Sequence, residues 1–325
     1  MQLYSLDPEC RLAPAVAAAL GQKLAPHEDR AFEDGEHKWR PLTDPAGRDV
    51  YLLASLHGGP HDSPHDKLCR LLMFVATLRD HGAARVTAVL PYLSYARKDR
   101  QTKAFDPLAL RYVAQLIEAV GTAQVFVLEV HNVAAFQNAF RCPTRHLEVH
   151  RLFDPVVAEL AQLAEPAGQG ALAVASPDPG GVKRAQLWRE SLEAHLARPV
   201  GFAMVDKRRS AGVVSSERLV AGDVAGATVL LLDDLIASGE TMTRAAAALQ
   251  RAGARRILAF AAHGLFTGAA ARQLDDPAIA QLVVTDSVPP FRLPAGSAVA
   301  GALRVVTAVP LLAEAIRQSH DSWRR

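Results

Sequence analysis

Residues 229–241 have the sequence VLLLDDLIASGET, in which an apolar run reaches two adjacent acids and then a turn of small residues. The apolar run is typical of a buried parallel strand, and the Ala-rich residues 242–252 predict a helix behind the turn. Backbone N–H groups of residues 238–241, the hydroxyls of Ser238 and Thr241 and the helix dipole would all favour one bound anion. The stretch therefore predicts a phosphate-binding turn between a strand and a helix.

The two acids of this stretch are typical of groups that bind sugar hydroxyls. Asp233 and Asp234 stand at the end of the predicted strand, where their carboxylates could accept hydrogen bonds from sugar hydroxyls. The alternative is an ordinary strand-to-helix turn whose acids are solvated or cap the helix. The chain contains no Gly-Lys dipeptide, which excludes a Walker-type phosphate loop. A nucleotide, if bound, must be held in another way.

Composition limits the class of protein. A chain of 325 residues suits two domains of ordinary size, and a formal charge of +2 gives no field for gripping nucleic acid. The three cysteines, Cys10, Cys69 and Cys142, are far apart, so neither a disulfide framework nor a zinc site is indicated. No signal-like start and no membrane-spanning apolar run is present. We expect a soluble cytoplasmic protein with no nucleic-acid or membrane partner.

Short apolar runs alternate with helical patterns in two successive blocks. The first block has strand-like runs at residues 49–55, 85–93 and 124–130, with amphipathic stretches at 66–81 and 107–120. The second has runs at residues 171–175, 200–205, 227–232, 256–262 and 281–285, and a closing amphipathic helix is predicted at 309–320. Both blocks predict mostly parallel sheets covered by helices on both faces, with ligands beyond the carboxyl ends of the strands. We place the domains at 1–147 and 148–325.

Five further segments along the chain are informative together with the turn at residues 233–241. They are FEDGE (32–36), PYLSYARKDR (91–100), EVHNVAAFQNAF (129–140), SPDPGGVKRA (176–185) and DKRR (206–209). Together they resemble the ribose-phosphate pyrophosphokinases, which make phosphoribosyl pyrophosphate from ribose 5-phosphate and ATP. The resemblance implies an α/β fold of two tandem type I phosphoribosyltransferase-like domains. It also implies an active site between them and self-association, as a dimer or hexamer, that completes this site.

The resemblance assigns an adenine-reading loop, supplied by the adjacent subunit, to Phe32, Asp34 and Glu36. A Phe ring can stack on a purine, and carboxylates can accept from the exocyclic amine that ATP carries. By composition alone FEDGE is a polar turn, since Asp-Gly is a common turn dipeptide. Arg97 matches an ATP-contacting arginine, and Lys98 stands where the family commonly has Gln. The basic RKDR run is by itself also typical of a solvated loop.

Metal and catalytic positions follow from the same resemblance. His131 and Asp178 match magnesium ligands near the ATP phosphates, and Glu129 stands where the family usually has Asp. By itself, His131 is more typical of a hydrogen-bonded structural residue. Lys207 and Arg209 match a loop that closes over the triphosphate, where two cations can neutralise charge on the phosphoryl group in flight. By composition, KRR is more often a solvated face.

The resemblance assigns ribose 5-phosphate binding to the whole turn after the second-block strand. The residues are Asp233, Asp234, Ala237, Ser238, Gly239, Glu240 and Thr241. Ala237 replaces an Asp that many pyrophosphokinases carry, and Glu240 stands where Gly is frequent. Phosphate capture by backbone N–H groups should survive both substitutions.

We therefore predict an enzyme that transfers the diphosphoryl group of Mg-ATP to the 1-hydroxyl of ribose 5-phosphate and releases AMP. One alternative is a phosphoribosyltransferase, which consumes that product and needs no adenine loop. Another is a non-catalytic regulatory subunit of the same fold. Residues 57–66 (HGGPHDSPHD) carry three histidines, but Gly and Pro break any helix there, so we favour a solvent loop over a metal site.

Overall fold

A computed structural model describes residues 1–7, 10–164, 170–210 and 213–324 of the chain. Within these ranges, the side chains of residues 161–164, 207–210 and 213–218 lie outside the description. The chain divides into two units, one formed by Met1–Glu148 with Thr307–Arg325 and the other by Val149–Val306.

The first unit is built on a parallel sheet of five strands, with the order β1-β4-β5-β6-β7. Two further strands, β2 and β3, form a separate antiparallel hairpin, which we call the flap. The strands are β1 (Gln2–Ser5), β2 (His27–Ala31), β3 (His37–Pro41), β4 (Asp49–Leu53), β5 (Arg85–Leu90), β6 (Gln124–Leu128) and β7 (Thr144–Leu147). The helices are α1 (Leu12–Ala19), α2 (Pro64–Asp80), α3 (Ala109–Ala119) and α4 (Val133–Ala139).

Sequence explains where the long helix α2 begins. Ser63 is its N-cap and accepts from the N–H of Asp66, whose carboxylate accepts in return from the N–H of Ser63 at 2.8 Å. Pro64 follows as the first helical residue, where its missing N–H costs nothing. The buried face of α2, including Leu71 and Phe74, packs in one core with alternate residues of β4 and β5.

The second unit contains a sheet of seven strands in the order β10-β9-β8-β11-β12-β13-β14, parallel except for the β9–β10 pair. The strands are β8 (Leu172–Ser176), β9 (Gly201–Ser210), β10 (Val213–Ala221), β11 (Thr228–Ile236), β12 (Arg256–Gly264), β13 (Gln281–Thr285) and β14 (Leu303–Val306). The helices are α5 (His150–Ala164), α6 (Val182–Leu196), α7 (Glu240–Arg251), α8 (Ala270–Gln273) and α9 (Ala298–Ala302), with a 3-10 turn at Pro179–Gly181.

An aromatic cluster joins α5 and α6 to the second sheet. The ring of Trp188 lies 4.9 Å from that of Phe260, and Phe153 lies 5.2 Å from Phe260. Trp188 is fully buried, and its indole N–H donates to Asp154 at 2.9 Å. Ser191 donates to the other oxygen of Asp154 at 2.8 Å, so the acid beneath this apolar layer is satisfied.

The predicted fold class is confirmed, since both units have mostly parallel sheets flanked by helices. Every apolar run predicted as a strand forms one, and the amphipathic stretches at 66–81 and 107–120 form α2 and α3. Each helix in the described part of the chain is too short or too polar to traverse a lipid bilayer.

The last helix, α10 (Val309–Trp323), confirms the predicted closing helix but belongs to the first unit. The predicted domain 148–325 had placed it in the second. The reason is a buried polar contact at the amino-terminal ends of β4 and β5. His320 donates from Nδ1 to Asp49 at 2.7 Å, and Arg85 donates to the carbonyl oxygen of Ser319 at 3.1 Å.

Asp49 is the centre of this contact. It is fully buried, and Arg85 donates hydrogen bonds to both of its carboxylate oxygens, at 2.7 and 2.9 Å. Arg85 also donates to the phenol of Tyr51 at 2.7 Å, and its guanidinium lies over the ring of Trp323. Removing one partner of a buried ion pair leaves an uncompensated charge, which is strongly destabilising.

We expect Arg85→Met to lower the free energy of unfolding by about 3 kcal/mol or more, because Asp49 would stay buried without the guanidinium that contacts both of its oxygens. Urea denaturation followed by circular dichroism measures this loss. Arg317→Met is the control, because Arg317 makes an exposed ion pair with Glu314 on the same helix α10. That control should cost less than about 1 kcal/mol. Equal losses in the two variants would contradict the role assigned to Arg85.

Candidate functional site

Polar segments follow three neighbouring strands of the second sheet. β9, β8 and β11 are adjacent and parallel, so their carboxyl ends meet at one edge. Asp178 follows β8, residues 233–241 end β11 and open α7, and Lys207 and Arg209 lie on β9. Strand order thus brings three of the predicted segments to one edge of one sheet, where ligands bind in open parallel sheets.

The turn between β11 and α7 has the geometry of an anion site. Gly239 has φ +85, and a Cβ there would lie 2.7 Å from the side chain of Leu274, so only glycine fits. The helix begins at Glu240, so its first N–H groups have no partner within the helix. Ser238 lies beside them, accepting from the N–H of Glu240 at 3.5 Å. Ser238 and Thr241 are both exposed at this turn.

The turn is braced from behind by the segment that follows β12. Thr267 donates its N–H to the carbonyl of Ala237 at 2.9 Å, and Leu265 donates to that of Ile236 at 2.9 Å. The buried Thr243 on α7 accepts from the side chain of Gln273 at 2.9 Å. These contacts fix the backbone, so the N–H groups of the turn are preorganised.

The side chains of Glu240 and Ala237 do not obstruct this turn. Glu240 is exposed and forms an ion pair with Arg244, one helical turn further along α7. Its carboxylate is therefore engaged along the helix surface. Ala237 is half-buried, and its carbonyl oxygen is the acceptor for Thr267.

The two acids at the end of β11 differ in environment. Asp234 is buried, Asp233 is partly exposed, and the N–H of Asp234 donates to the Asp233 carboxylate at 2.8 Å. Burial and the neighbouring negative charge of Asp234 raise the pKa of Asp233 well above its ordinary value. The positive charge of Arg184 opposes this rise.

Arg184 is a site residue that the sequence reasoning missed. It lies on α6, with Nη1 4.0 Å from Oδ1 of Asp234, and both side chains are mostly buried. A signal was present, because Arg184 lies six residues after Asp178 in a segment already assigned to the ligand edge. Its role as a cation opposite the acidic pair depends on β8 lying next to β11.

Asp178 caps the 3-10 turn that follows β8. Its Oδ1 accepts from the N–H of Gly180 at 2.8 Å and of Gly181 at 3.2 Å. Gly181 packs so closely on Ser176 that a Cβ would lie 2.6 Å from the Ser176 hydroxyl. The loop therefore holds the Asp178 carboxylate in one orientation, and Oδ2 makes no hydrogen bond to the side chains that the structure describes.

Lys207 and Arg209 lie on the antiparallel β9–β10 hairpin, where Lys207 pairs with Arg218 and Arg209 with Val214. The sequence resemblance had placed them on a loop, and the structure extends β9 through both positions. Their side chains lie outside the described part of the chain. The catalytic roles of Lys207 and Arg209 stay predictions.

In the first unit, Phe32, Asp34 and Glu36 form the tip of the flap. Phe32 and Glu36 are joined by a backbone hydrogen bond of 2.8 Å, and Gly35, with φ +89, makes the turn. The Asp34 carboxylate accepts from the N–H of Glu36 at 3.1 Å. Phe32 is 39 % exposed, so an aromatic face and carboxylates are presented together at an exposed hairpin tip.

Arg97 and Lys98 lie in the loop after β5 but differ in their contacts. Arg97 is exposed, whereas Lys98 forms an ion pair with Asp106 and donates to Thr102 at 3.1 Å. Lys98 and Thr102 hold the pKa of Asp106 well below its ordinary value. Lys98 therefore shapes its own loop, and its contact with ATP stays a prediction.

The segment after β6 carries the other predicted metal ligand. His131 is exposed, and the next residue, Asn132, caps α4 and donates to Asp99 at 2.7 Å. Glu129 is buried with φ +45, and Tyr95 after β5 has φ +65. Non-glycine residues in the left-handed region are strained, and such strain concentrates at ligand-binding edges. Neither conformation was foreseen from the sequence.

No group of three or more metal-binding side chains comes together in the described ranges. His131 and Asp178 belong to different units, and each lies at the carboxyl end of its own sheet. A metal held by one or two carboxylates and by substrate phosphates is typical of magnesium and would not require such a group.

Comparisons with known proteins agree with this geometry. A family model described as the N-terminal domain of ribose phosphate pyrophosphokinase matches residues 1–121, and the phosphoribosyl synthetase-associated domain matches residues 214–323. A ribose-phosphate pyrophosphokinase of Caldanaerobacter subterraneus subsp. tengcongensis is 34% identical over 99% of this chain and 95% of its own. That of Haemophilus influenzae is 33% identical over 98% of this chain and 95% of its own.

A solved structure extends the likeness to the whole fold. The crystal structure of phosphoribosylpyrophosphate synthetase from Mycobacterium smegmatis superposes with a TM-score of 0.84 and 28% identity, covering 99% of both chains. Three observations identify the family. A family domain matches at each end of the chain, relatives align along its length, and a solved family member shares its fold. The chain belongs to the ribose-phosphate pyrophosphokinase family.

Proposed function

We propose that this chain transfers the β,γ-diphosphoryl group of Mg-ATP to the 1-hydroxyl of ribose 5-phosphate, giving phosphoribosyl pyrophosphate and AMP. The observation that carries the proposal is the turn at residues 233–241, where two acids precede a glycine-dependent helix start. Family membership supports it, because the curated relatives are named for this activity.

Ribose 5-phosphate would bind with its phosphate at the start of α7 and its ribose toward the end of β11. Its phosphate would accept from the N–H groups of residues 238–241 and from the hydroxyls of Ser238 and Thr241. Asp233 and Asp234 would then accept from the ribose hydroxyls, which requires the carboxylates to be ionised. The ion pair of Glu240 with Arg244 favours this proposal over a regulatory subunit, since it engages the added acid outside the turn.

ATP would be read by the first unit. Phe32 offers an exposed ring for stacking on adenine, and Asp34 and Glu36 offer acceptors for its amine. Arg97 would contact the purine or a phosphate of ATP. Lys98 would contact ATP while it keeps its ion pair with Asp106. We propose that the flap acts on a neighbouring subunit, so that a dimer or hexamer completes the site.

Magnesium fits the residues present. The Asp178 carboxylate is fixed through Oδ1 by two backbone N–H groups, which leaves Oδ2 for a hard cation or its water. In the first unit, His131 is exposed at the end of β6, and we propose it as a magnesium ligand from the family resemblance. When bound, magnesium would supply charge neutralisation and orientation of the ATP phosphates. We also propose a cytoplasmic location.

Catalysis would come from positioning and charge. The 1-hydroxyl of the sugar attacks the β-phosphorus, the bond to the α-phosphate oxygen breaks, and AMP leaves with that oxygen. The hydroxyl proton passes to solvent or to a phosphate oxygen. Lys207 and Arg209 would stabilise negative charge on the diphosphoryl group during its transfer, and a covalent enzyme intermediate is not required.

The first test measures AMP formation by the purified protein with ATP and magnesium, with and without ribose 5-phosphate. Phosphorus NMR follows the new diphosphate ester in the same samples. We expect AMP and the ester to rise together only when the sugar phosphate is present. AMP without the ester would indicate hydrolysis, and intact ligand binding without AMP would indicate a regulatory subunit.

We expect Lys207→Ala and Arg209→Ala each to lower kcat by about 10²- to 10³-fold, because each removes a cation that acts in the transition state. The KM for ribose 5-phosphate should change far less, since these residues do not bind the ground-state sugar. Steady-state kinetics measures both constants. Lys23→Ala, at an exposed position in the first unit, controls for the loss of one positive charge. A KM rise as large as the kcat fall would assign these residues to sugar binding instead.

The raised pKa of Asp233 predicts a pH dependence of sugar binding. As the pH falls through that pKa, Asp233 becomes protonated and the affinity for ribose 5-phosphate falls. Arg184→Gln removes a charge that lowers this pKa, so the affinity should be lost at a higher pH in the variant. Calorimetric titration across pH 4–8 measures the displacement between the two proteins. The sugar's phosphate titrates near 6 in both and cancels in the comparison. A displacement toward lower pH would contradict the assignment.

A further inference from the structure

A buried arginine on α2 ties the flap to the body of the first unit. The side chain of Arg70 is only 8% exposed, and its guanidinium donates to both oxygens of the Asp62 carboxylate, at 3.0 and 3.3 Å. It also donates to the carbonyl of Leu6 at 3.3 Å. Two of its three nitrogens are thus committed to α2's own N-terminal loop and to the end of β1.

The third nitrogen of Arg70 faces the flap. Its Nε lies 3.4 Å from Oδ2 of Asp29 on β2, which is an ion pair without a hydrogen bond among the described residues. The other oxygen of Asp29 is 2.9 Å from Nδ1 of His37, which lies on β3 and stacks on Trp39. His37 directly follows Glu36 of the flap tip. A continuous path of polar contacts therefore runs from the body of the unit to the residue next to the proposed adenine contacts.

Residues 57–66, a loop that runs into the first turn of α2, join this path to the other proposed ATP segment. The loop was expected to be solvated, but His57 is buried and Asp62 is held by Arg70. His65 shares a hydrogen bond with the phenol of Tyr95, which is two residues before Arg97. The His-rich segment thus contacts the Arg97 loop through His65 and the flap through Asp62 and Arg70.

We propose that Arg70 is a positioning residue for nucleotide recognition, which sets the orientation of the flap and so of Phe32, Asp34 and Glu36. The inference rests on the proposed adenine-reading role of the flap tip. Arg70 and the flap belong to one chain, so the inference holds whichever subunit's ATP the flap contacts.

Charge explains why the position needs an arginine. Asp29 and Asp62 both face the Arg70 guanidinium, and their side chains are 27% and 31% exposed, so a neutral residue would leave two partly buried acids to repel each other. The flap is a hairpin of two strands outside the main sheet, and such a hairpin is marginally stable alone. Repulsion would therefore displace the flap before it disturbed the five-stranded sheet. Lysine would keep the charge but lose the fork that reaches both acids.

The test measures KM for ATP, KM for ribose 5-phosphate, kcat and the ratio of kcat/KM for ATP over GTP in the full chain. We expect Arg70→Gln to raise KM for ATP by about tenfold, equivalent to 1.4 kcal/mol, and to lower the ATP preference. The KM for ribose 5-phosphate and kcat should stay within about twofold, because Arg70 acts only through the flap. Arg70→Lys should recover part of the ATP affinity.

Matched variants separate this role from general stability. Arg79→Gln removes an arginine of the same helix whose hydrogen bonds within the described residues go to the backbone of Ala83 and Ala84, and it should leave all constants unchanged. Asp29→Asn breaks the flap contact while keeping the Arg70 pair with Asp62, so it should reproduce the ATP effect even if Arg70→Gln folds poorly. Phe32→Ala reports the flap tip itself.

The outcomes are distinguishable. ATP-specific effects in Arg70→Gln, Asp29→Asn and Phe32→Ala would support the inference. An effect in Phe32→Ala alone would overturn it and leave the proposed function standing, as would equal losses for both substrates in Arg70→Gln. No effect in any of the three, with AMP still formed, would overturn both the inference and the flap's adenine-reading role. No AMP from the unchanged protein would instead reject the proposed function.

Discussion

Parallel pairing of β8 with both β9 and β11 is the constraint on which the candidate site depends. Because the three strands point the same way, the segments that leave their carboxyl ends must share one edge of the sheet. Asp178, the β9 hairpin and the acidic pair Asp233–Asp234 are distant in sequence and neighbours only for this reason. The buried Val and Leu residues of β11 hold that register by packing on α7 on one face and toward α6 on the other.

Backbone conformation supplies the second requirement. Gly239 adopts a left-handed conformation against Leu274, and Glu129 and Tyr95 adopt it at the strand ends of the other unit despite their side chains. Strain at those positions persists only because the surrounding contacts over-determine the chain. Both units therefore stabilise loop shapes at their ligand edges that the isolated segments would not adopt. Rigid strands thus hold polar groups in fixed directions before any ligand arrives.

The sequence predicted the elements better than the contacts among them. Apolar periodicity was sufficient for strands such as β11 and helices such as α2, because burial imposes those patterns directly. It was insufficient for Arg184 and Arg70, whose partners come from other strands and loops. The pairing of Lys98 with Asp106 depends on the shape of one loop, and the strand conformation at Lys207 depends on pairing across a hairpin. Residue type identified the chemistry, and topology decided which groups meet.

The return of α10 to the first unit has a consequence for biosynthesis. The second unit is an insertion between Glu148 and Thr307 of the first, so the chain passes between the units twice. A ribosome delivers the five-stranded sheet early but releases Ser319 and His320 only after the whole second unit. Until then, the buried acid Asp49 has Arg85 but lacks the helix that seals it from water. The first unit to be synthesised is thus the last to be completed, and the inserted unit can mature while its host is still open.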